Sequence, residues 1–83
     1  MSSAEAIPDW PHDAVYDAGE TGCGEVLIDL RLEFRKHDPG ARILVVARDP
    51  GAPIEMPAWC RLTEHALLEA RHPHYLVRKK IET

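Results

Sequence analysis

ILVVA, residues 43–47, is the longest uninterrupted apolar run in this chain of 83 residues. Three of its five residues, Ile43, Val45 and Val46, are β-branched, and such side chains favour extended backbone. A run this short, with no polar residue in alternation, is typical of a strand that is covered on both faces. We therefore expect a strand over residues 42–48 at the centre of a sheet.

The segment before this strand has the period of a helix, over residues 24–36. Its apolar face is formed by Val26, Leu27, Leu30 and Phe34. Acidic residues occupy the first turns and basic residues the last, as the helix dipole prefers, and Asp38-Pro39-Gly40 ends the helix. Ile28 and Leu32 form a second apolar line, which we interpret as core packing, with a partner-docking surface as the alternative.

The remaining elements follow from turn signals and apolar patterning. We expect a first strand over residues 14–17, a second helix from 53 or 54 to 63, and two last strands over 66–71 and 75–81. Pro57 should be tolerated only in the first turn of its helix. His65 is expected to cap that helix, and the turn His72-Pro73-His74 should leave both histidines in solvent.

The element order β-α-β-α-β-β predicts an α/β (α+β) fold. A strand-helix-strand unit favours a parallel pair, and the last two strands should form a hairpin. We expect one domain, a two-layer sandwich of a four-stranded mixed sheet with two helices on one face. Residues 1–13 are interpreted as a flexible leader and residues 14–83 as the domain, while the place of Trp10 stays open.

Charge and composition exclude several classes of function. The chain has 14 acidic and 10 basic residues, a formal charge of −4, so binding to nucleic acid or to an anionic membrane is not expected. No apolar run approaches the roughly 18 residues of a membrane span, and the first residues do not form a secretory signal. The two cysteines are therefore expected to be reduced thiols in the cytoplasm.

The candidate for chemistry is Cys23, in the segment GETGCGEV, residues 19–26. Three glycines lie within six residues there, between the first strand and the first helix. A thiol at a helix N-terminus lies near free N–H groups, which stabilise the thiolate and lower the thiol pKa. We interpret Gly22, Gly24 and Glu25 as the turn that surrounds the sulfur. The alternative is a small, inert residue that is buried at the start of the helix.

Other kinds of site have weaker support. Cys60 shares a helix face with Trp59 and is interpreted as a core residue. The glycine-rich turn lacks the lysine of a nucleotide-binding loop, and no Cys-x-x-Cys pair is present to bind a metal. We therefore expect no cofactor and no metal.

Several segments, taken together and in order, resemble the TusA sulfur-carrier family over roughly residues 14–80. The matching segments are Asp17-Ala18, six and five residues before Cys23, then Asp38-Pro39-Gly40, residues 49–52, 56–60 and 64–65, and residues 75–79. The resemblance implies the same βαβαββ sandwich and a persulfide carried on Cys23. It also implies a sulfur donor (a cysteine desulfurase or a rhodanese) and an acceptor protein, with a monomer in the free state. Such relays serve tRNA thiolation, molybdenum-cofactor biosynthesis or sulfur oxidation.

The chain differs from the family at the cysteine motif, where Cys23-Gly24-Glu25-Val26 replaces Cys-Pro-x-Pro. Gly24 keeps an N–H group that a proline would lack, while the negative charge of Glu25 would raise the thiol pKa. Two alternative functions therefore stay open: a non-catalytic protein-interaction module, and a thiol redox protein that uses Cys23 and Cys60.

Overall fold

A computed structural model describes residues 8–19 and 23–81 of the chain, with residues 23–25 described by their backbone alone. The elements are β1 (Ala14–Asp17), α1 (Cys23–Arg35), β2 (Arg42–Val46), α2 (Ala52–Thr63), β3 (Ala66–Arg71) and β4 (His74–Arg78). They form one four-stranded sheet in the order β1-β2-β4-β3. β1 pairs parallel with β2, and the other two pairs are antiparallel. The predicted fold class, the parallel pair and the terminal hairpin are confirmed.

β2 is the central strand because its side chains are buried on both faces of the sheet. Ile43, Leu44 and Val45 have no exposed surface, and Val46 is nearly as buried. Successive side chains alternate between faces, so Ile43 and Val45 face the helices and Leu44 and Val46 face away from them. This explains why the segment has no polar residue in alternation.

Both helices pack on the same face of the sheet, as the sequence predicts. One core cluster joins α1, α2 and the inner side chains of the strands: Ala18, Val26, Leu30, Phe34, Ile43, Val45, Ala47, Ala52, Met56, Trp59, Cys60, Tyr75 and Val77. The Phe34 and Trp59 rings meet edge to face, with centroids 5.3 Å apart. This geometry suits the quadrupoles of the two rings and holds the helices together.

Residues that precede β1 contact the sheet, whose face opposite the helices we call the outer face. The Asp13 N–H donates to the Arg42 carbonyl, and the Asp13 carboxylate accepts the Arg42 N–H at 2.8 Å. The Arg71 guanidinium lies 5.6 Å from the centroid of the Trp10 ring. Because Arg71 pairs with His74 across β3 and β4, this contact lies at the opposite end of the sheet from Arg42. Asp13 therefore contacts one end of the sheet and Trp10 a side chain at the other end, and Trp10 is partly buried.

The boundaries of four elements differ from the predicted ones by one to three residues, and α1 begins and ends one residue earlier than expected. β2 and β4 end earlier than expected, at Val46 and Arg78, and α2 begins at Ala52 rather than at residue 53 or 54. Pro57 consequently lies inside α2 and not in its first turn. The helix continues through this position because Met56 and Trp59 on either side are buried in the core, which offsets the hydrogen bond that proline cannot donate.

The prediction that His65 caps α2 is wrong. The end of the helix is formed by Thr63, whose hydroxyl donates to the Trp59 carbonyl at 2.8 Å, and by Glu64 in the left-handed region at φ 67°. The His65 ring instead stacks on Phe34 and Trp59, with centroids 4.8 and 5.3 Å away. Its Nδ1 accepts the Lys80 N–H at 2.9 Å. The ring therefore closes one end of the core.

The interpretation of Ile28 and Leu32 as core residues is also wrong. Their exposed fractions are 64% and 54%. The two helices share one face of the sheet, so α1 buries a single stripe, and Val26, Leu30 and Phe34 fill it. The second apolar line therefore faces solvent.

Cys60 is confirmed as a core residue, with 3% of its surface exposed. Replacing Cys60 with Ala should lower the free energy of unfolding by about 1–2 kcal/mol, because it removes buried atoms and leaves a small cavity. Urea denaturation followed by tryptophan fluorescence measures this change. An unchanged midpoint and slope would contradict the core position of the thiol.

Candidate functional site

The backbone places Cys23 at the first residue of α1. The first turn of a helix has N–H groups with no helical acceptor, and they carry the positive end of the helix dipole. Cys23 was predicted in the turn just before this helix, and the structure makes it the first helical residue. The side chains of Cys23 and Glu25 lie outside the described residues, as does Gly22, so their predicted roles around the sulfur stay predictions.

On its C-terminal side, the segment that carries Cys23 is attached to the core by Val26. Only 1% of the Val26 surface is exposed, and the side chain belongs to the core cluster. Tyr16 of β1 packs against the same core cluster. Burial first, and then the charges of Asp29 and Glu33 on α1, raise the pKa of its phenol. Val26 therefore attaches the first turns of α1 to the core.

On its N-terminal side, the same segment begins with a tight turn after β1. The Asp17 carboxylate accepts the Gly19 N–H at 2.8 Å, which is the hydrogen bond of an Asx turn. Gly19 has φ +65°, a conformation that glycine adopts without the steric cost of a side chain. The chain therefore turns sharply out of the sheet two residues after β1 ends.

Arg48 binds this turn from the neighbouring loop, between β2 and α2. Its two terminal nitrogens donate to the two Asp17 carboxylate oxygens, with Nη2 at 3.1 Å from Oδ2. Nη1 also donates to the Gly19 carbonyl at 3.3 Å. The Arg48 hydrogen bonds and the Gly19 N–H lower the pKa of the Asp17 carboxyl to about 2, and the charges of Arg48 and His74 add to this.

The Arg48–Asp17 pair was missed in the sequence, although a signal for it exists. Both residues lie at the C-terminal ends of strands that the βαβ pattern predicts to be parallel neighbours. The C-terminal ends of adjacent parallel strands meet at one edge of the sheet. An ion pair between these opposite charges could therefore have been predicted from the sequence. The structure agrees with this reasoning, since Asp17 and Val46 are register partners and Arg48 follows Val46 by two residues.

His74 lies at the same edge of the sheet and differs from the prediction. It was expected in solvent, but only 3% of it is exposed. It is the first residue of β4 and pairs with Val46 on one side and Arg71 on the other, which turns its ring onto the outer face. Its Nε2 has no hydrogen-bond partner among the described residues. His72, by contrast, is exposed as predicted.

Cys60 is in the opposite environment to a helix N-terminus. Burial raises the pKa of its thiol to about 11, because the low-dielectric core disfavours the thiolate. At neutral pH the thiol is therefore protonated and a weak nucleophile. This burial argues against a resolving role for Cys60.

The exposed face of α1 extends away from Cys23 through Ile28 and Leu32 toward a basic cleft. The cleft has a volume of about 500 Å³ and is lined by Arg31, Phe34, Arg35, Trp59, Leu62, Thr63, His65, Lys79 and Lys80. Four of these side chains are basic and none is acidic, in a chain whose net charge is −4. Leu62 at its rim is 84% exposed. We call Ile28, Leu32 and Leu62 the apolar line of the helical face.

Within the described part of the chain, no three His, Cys, Asp or Glu side chains gather closely enough to hold a metal ion. The helices described there are also too short and too polar to cross a membrane.

The fold and the position of Cys23 define a class: a small two-layer α/β protein with a thiol at the N-terminus of its first helix. Residues 14–80 match the model of the family described as Sulfurtransferase TusA. The chain is also 32% identical over 76 residues to the sulfur carrier protein TusA of Pseudomonas paraeruginosa (strain DSM 24068 / PA7). That alignment covers 87% of this chain and 96% of the relative. The chain therefore belongs to the TusA family, as the resemblance indicated.

The Asp17–Arg48 pair should make stability depend on pH. The pKa of Asp17 is lowered in the folded state, so its contribution is present above its unfolded pKa and is lost as pH falls from about 4 toward 2. Between about pH 5 and pH 2, the free energy of unfolding should therefore fall more steeply for the wild type than for Asp17→Asn. Because the carboxylate is 52% exposed, the difference should not exceed about 1 kcal/mol.

Urea denaturation across this pH range measures the difference. Asp9→Asn is the matched control, since Asp9 is exposed and makes none of these contacts. Parallel curves for the wild type and Asp17→Asn would contradict the importance of the pair.

Proposed function

We propose that this protein carries sulfur as a persulfide on Cys23, between a donor enzyme and an acceptor protein. The observation that supports this most directly is the position of Cys23 as the first residue of α1 in a member of the TusA family. The family match gives the class of chemistry, and the helix N-terminus gives a physical reason for a stabilised thiolate.

The proposed transfer consists of two thiol–persulfide exchanges. The Cys23 thiolate attacks the terminal sulfur of a persulfide on the donor. A new S–S bond forms on Cys23, the donor S–S bond breaks, and the donor cysteine leaves as a thiolate. An acceptor thiolate then attacks the terminal sulfur of the Cys23 persulfide and releases the Cys23 thiolate. No electrons are gained or lost overall, so no cofactor is needed.

In this proposal, the backbone at the start of α1 replaces part of the role of the missing prolines. The N–H groups of the first helical turn stabilise the thiolate and the persulfide anion, and Gly24 contributes an N–H that a proline would not have. Glu25 opposes this effect through its charge. The chemistry also needs Cys23 as a free thiol, which a reducing compartment such as the cytoplasm provides.

The core position of Cys60 favours the carrier over the thiol redox alternative. A resolving cysteine must be ionised and accessible, and Cys60 is buried with a raised pKa. The remaining alternative, a non-catalytic interaction module, uses the same scaffold. It predicts an ordinary Cys23 thiol pKa of about 8.5 and no persulfide.

The partner is proposed to dock on the helical face. A protein that brings its active site to Cys23 must lie beside α1, where Ile28 and Leu32 are exposed within about three turns of the thiol. Arg31 and Arg35 of α1, which line the cleft, continue this surface and suit a partner with acidic residues. We propose a sulfur-donor enzyme, a cysteine desulfurase or a rhodanese, as the occupant.

Intact-protein mass spectrometry tests the carrier function. After incubation with a cysteine desulfurase and cysteine, or with a rhodanese and thiosulfate, the wild type should gain the mass of one sulfur atom. Cys23→Ser should gain none while it unfolds at the wild-type urea concentration, and Cys60→Ala should load like the wild type. No gain with either donor, on a folded wild type, would overturn the carrier in favour of the interaction module.

A second experiment tests docking on the helical face. Leu32→Glu places a charge in the apolar line and should slow loading from a protein donor about tenfold or more, as expected when an interface residue is disrupted. Loading from glutathione persulfide, which needs no docking surface, should stay unchanged. Val15→Glu is the matched control, because Val15 is 44% exposed and pairs in register with Leu44, which faces away from the helices. Equal loading of Leu32→Glu and the wild type by both donors would contradict the docking site.

A further inference from the structure

The segment that carries Cys23 is fixed to the described fold at two points. On the C-terminal side, Val26 is buried in the core. On the N-terminal side, Gly19 is held by the Asp17 carboxylate through its N–H and by Arg48 through its carbonyl. Gly24 lies between these two points, and a glycine has no side chain that could restrict its own backbone. The order of this segment therefore depends on how firmly both ends are attached.

We propose that Arg48 is a positioning residue for Cys23, which it serves by fixing the Asp17–Gly19 turn from which the cysteine segment departs. The proposal rests on the proposed role of Cys23 as the sulfur-carrying thiol. Arg48 acts through the turn and not on the sulfur itself.

The geometry explains why an arginine suits this position. Its planar guanidinium binds both Asp17 oxygens and reaches the Gly19 carbonyl, three contacts that a single ammonium group cannot reproduce. The backbone next to Arg48 is also held by hydrogen bonds to neighbouring strands and loops. The neighbouring Ala47 N–H donates to the Pro73 carbonyl at 2.8 Å, and the Ala18 N–H donates to the Val46 carbonyl at 2.9 Å.

This attachment has a specific use in this chain. A proline directly after the cysteine would fix φ in the first helical turn without help from elsewhere in the fold. Gly24 provides no such constraint, and glycine loses the most backbone freedom when it is ordered. Fixing the preceding turn limits the positions that the first turn can sample. Arg48 thus supplies, through tertiary contacts, part of the order that a proline provides locally.

Alkylation of both cysteines by iodoacetamide, followed by peptide mass spectrometry across a range of pH, tests the proposal. Arg48→Ala should slow alkylation of Cys23 at neutral pH about three- to fivefold, the range that an exposed bidentate pair supports. The pH profile should shift upward, because a disordered first turn stabilises the thiolate less. Cys60 reports unfolding in the same sample, and its protection should stay at the wild-type level.

Two further variants separate positioning from charge. Arg48→Lys keeps the positive charge but loses the planar guanidinium that binds both Asp17 oxygens. It should therefore slow Cys23 alkylation as Arg48→Ala does. Asp17→Asn should have the same effect, and the double variant Asp17→Asn with Arg48→Ala should add no further loss, since both residues act through one turn. Arg61→Ala, which removes the same charge from an exposed position on α2, is the control.

Each outcome decides the question. If Cys23 in Arg48→Ala is alkylated with the wild-type rate and pH profile, the proposal is overturned. A wild-type alkylation rate in Arg48→Lys would also overturn it, because the positive charge alone would then account for the effect of Arg48. Slower Cys23 alkylation together with faster Cys60 alkylation would show a general loss of stability and also overturn it. Sulfur loading is measured separately, so a wild type that accepts no sulfur contradicts the carrier function without affecting the alkylation test.

Discussion

The parallel pairing of β1 with β2 is the constraint on which the rest of this structure depends. β2 is buried on both faces, so it cannot shift in register without moving apolar side chains into contact with water. The pairing of Asp17 with Val46 brings the ends of both strands to one edge of the sheet. Two loops leave this edge, one toward Cys23 and one that carries Arg48. The candidate site is therefore a consequence of strand register.

The two cysteines show how position determines the chemistry of one residue type. Cys60 points into the core from the middle of α2, where burial disfavours its thiolate. Cys23 begins α1, where the backbone favours a thiolate. Because both helices cover the same face of the sheet, α1 buries one stripe and leaves Ile28 and Leu32 exposed. The fold thus places one cysteine at a helix N-terminus and leaves, along the same helix, a surface that its own core does not use.

The residues directly after Cys23 include no proline, and we propose that tertiary contacts supply part of the constraint that a proline would supply locally. Proline fixes a helical turn through its own ring, whereas a glycine must be ordered by its surroundings. Here the turn before the motif is held by hydrogen bonds from a neighbouring loop, and the helix after it is held by burial of Val26. The same backbone position is thereby constrained by contacts that are distant in sequence.

The sequence by itself determined the order and type of all six elements, the parallel pair and the hairpin. These depend on apolar periodicity and turn residues, which are local properties of the chain. It also indicated the family and the position of Cys23 near the start of the first helix. Only the tertiary structure decided that Ile28 and Leu32 are exposed, that His74 is buried and His65 is stacked, and that Arg48 binds Asp17. Each of these features depends on contacts between residues that are distant in the sequence. The local pattern of apolar and polar residues does not specify those contacts.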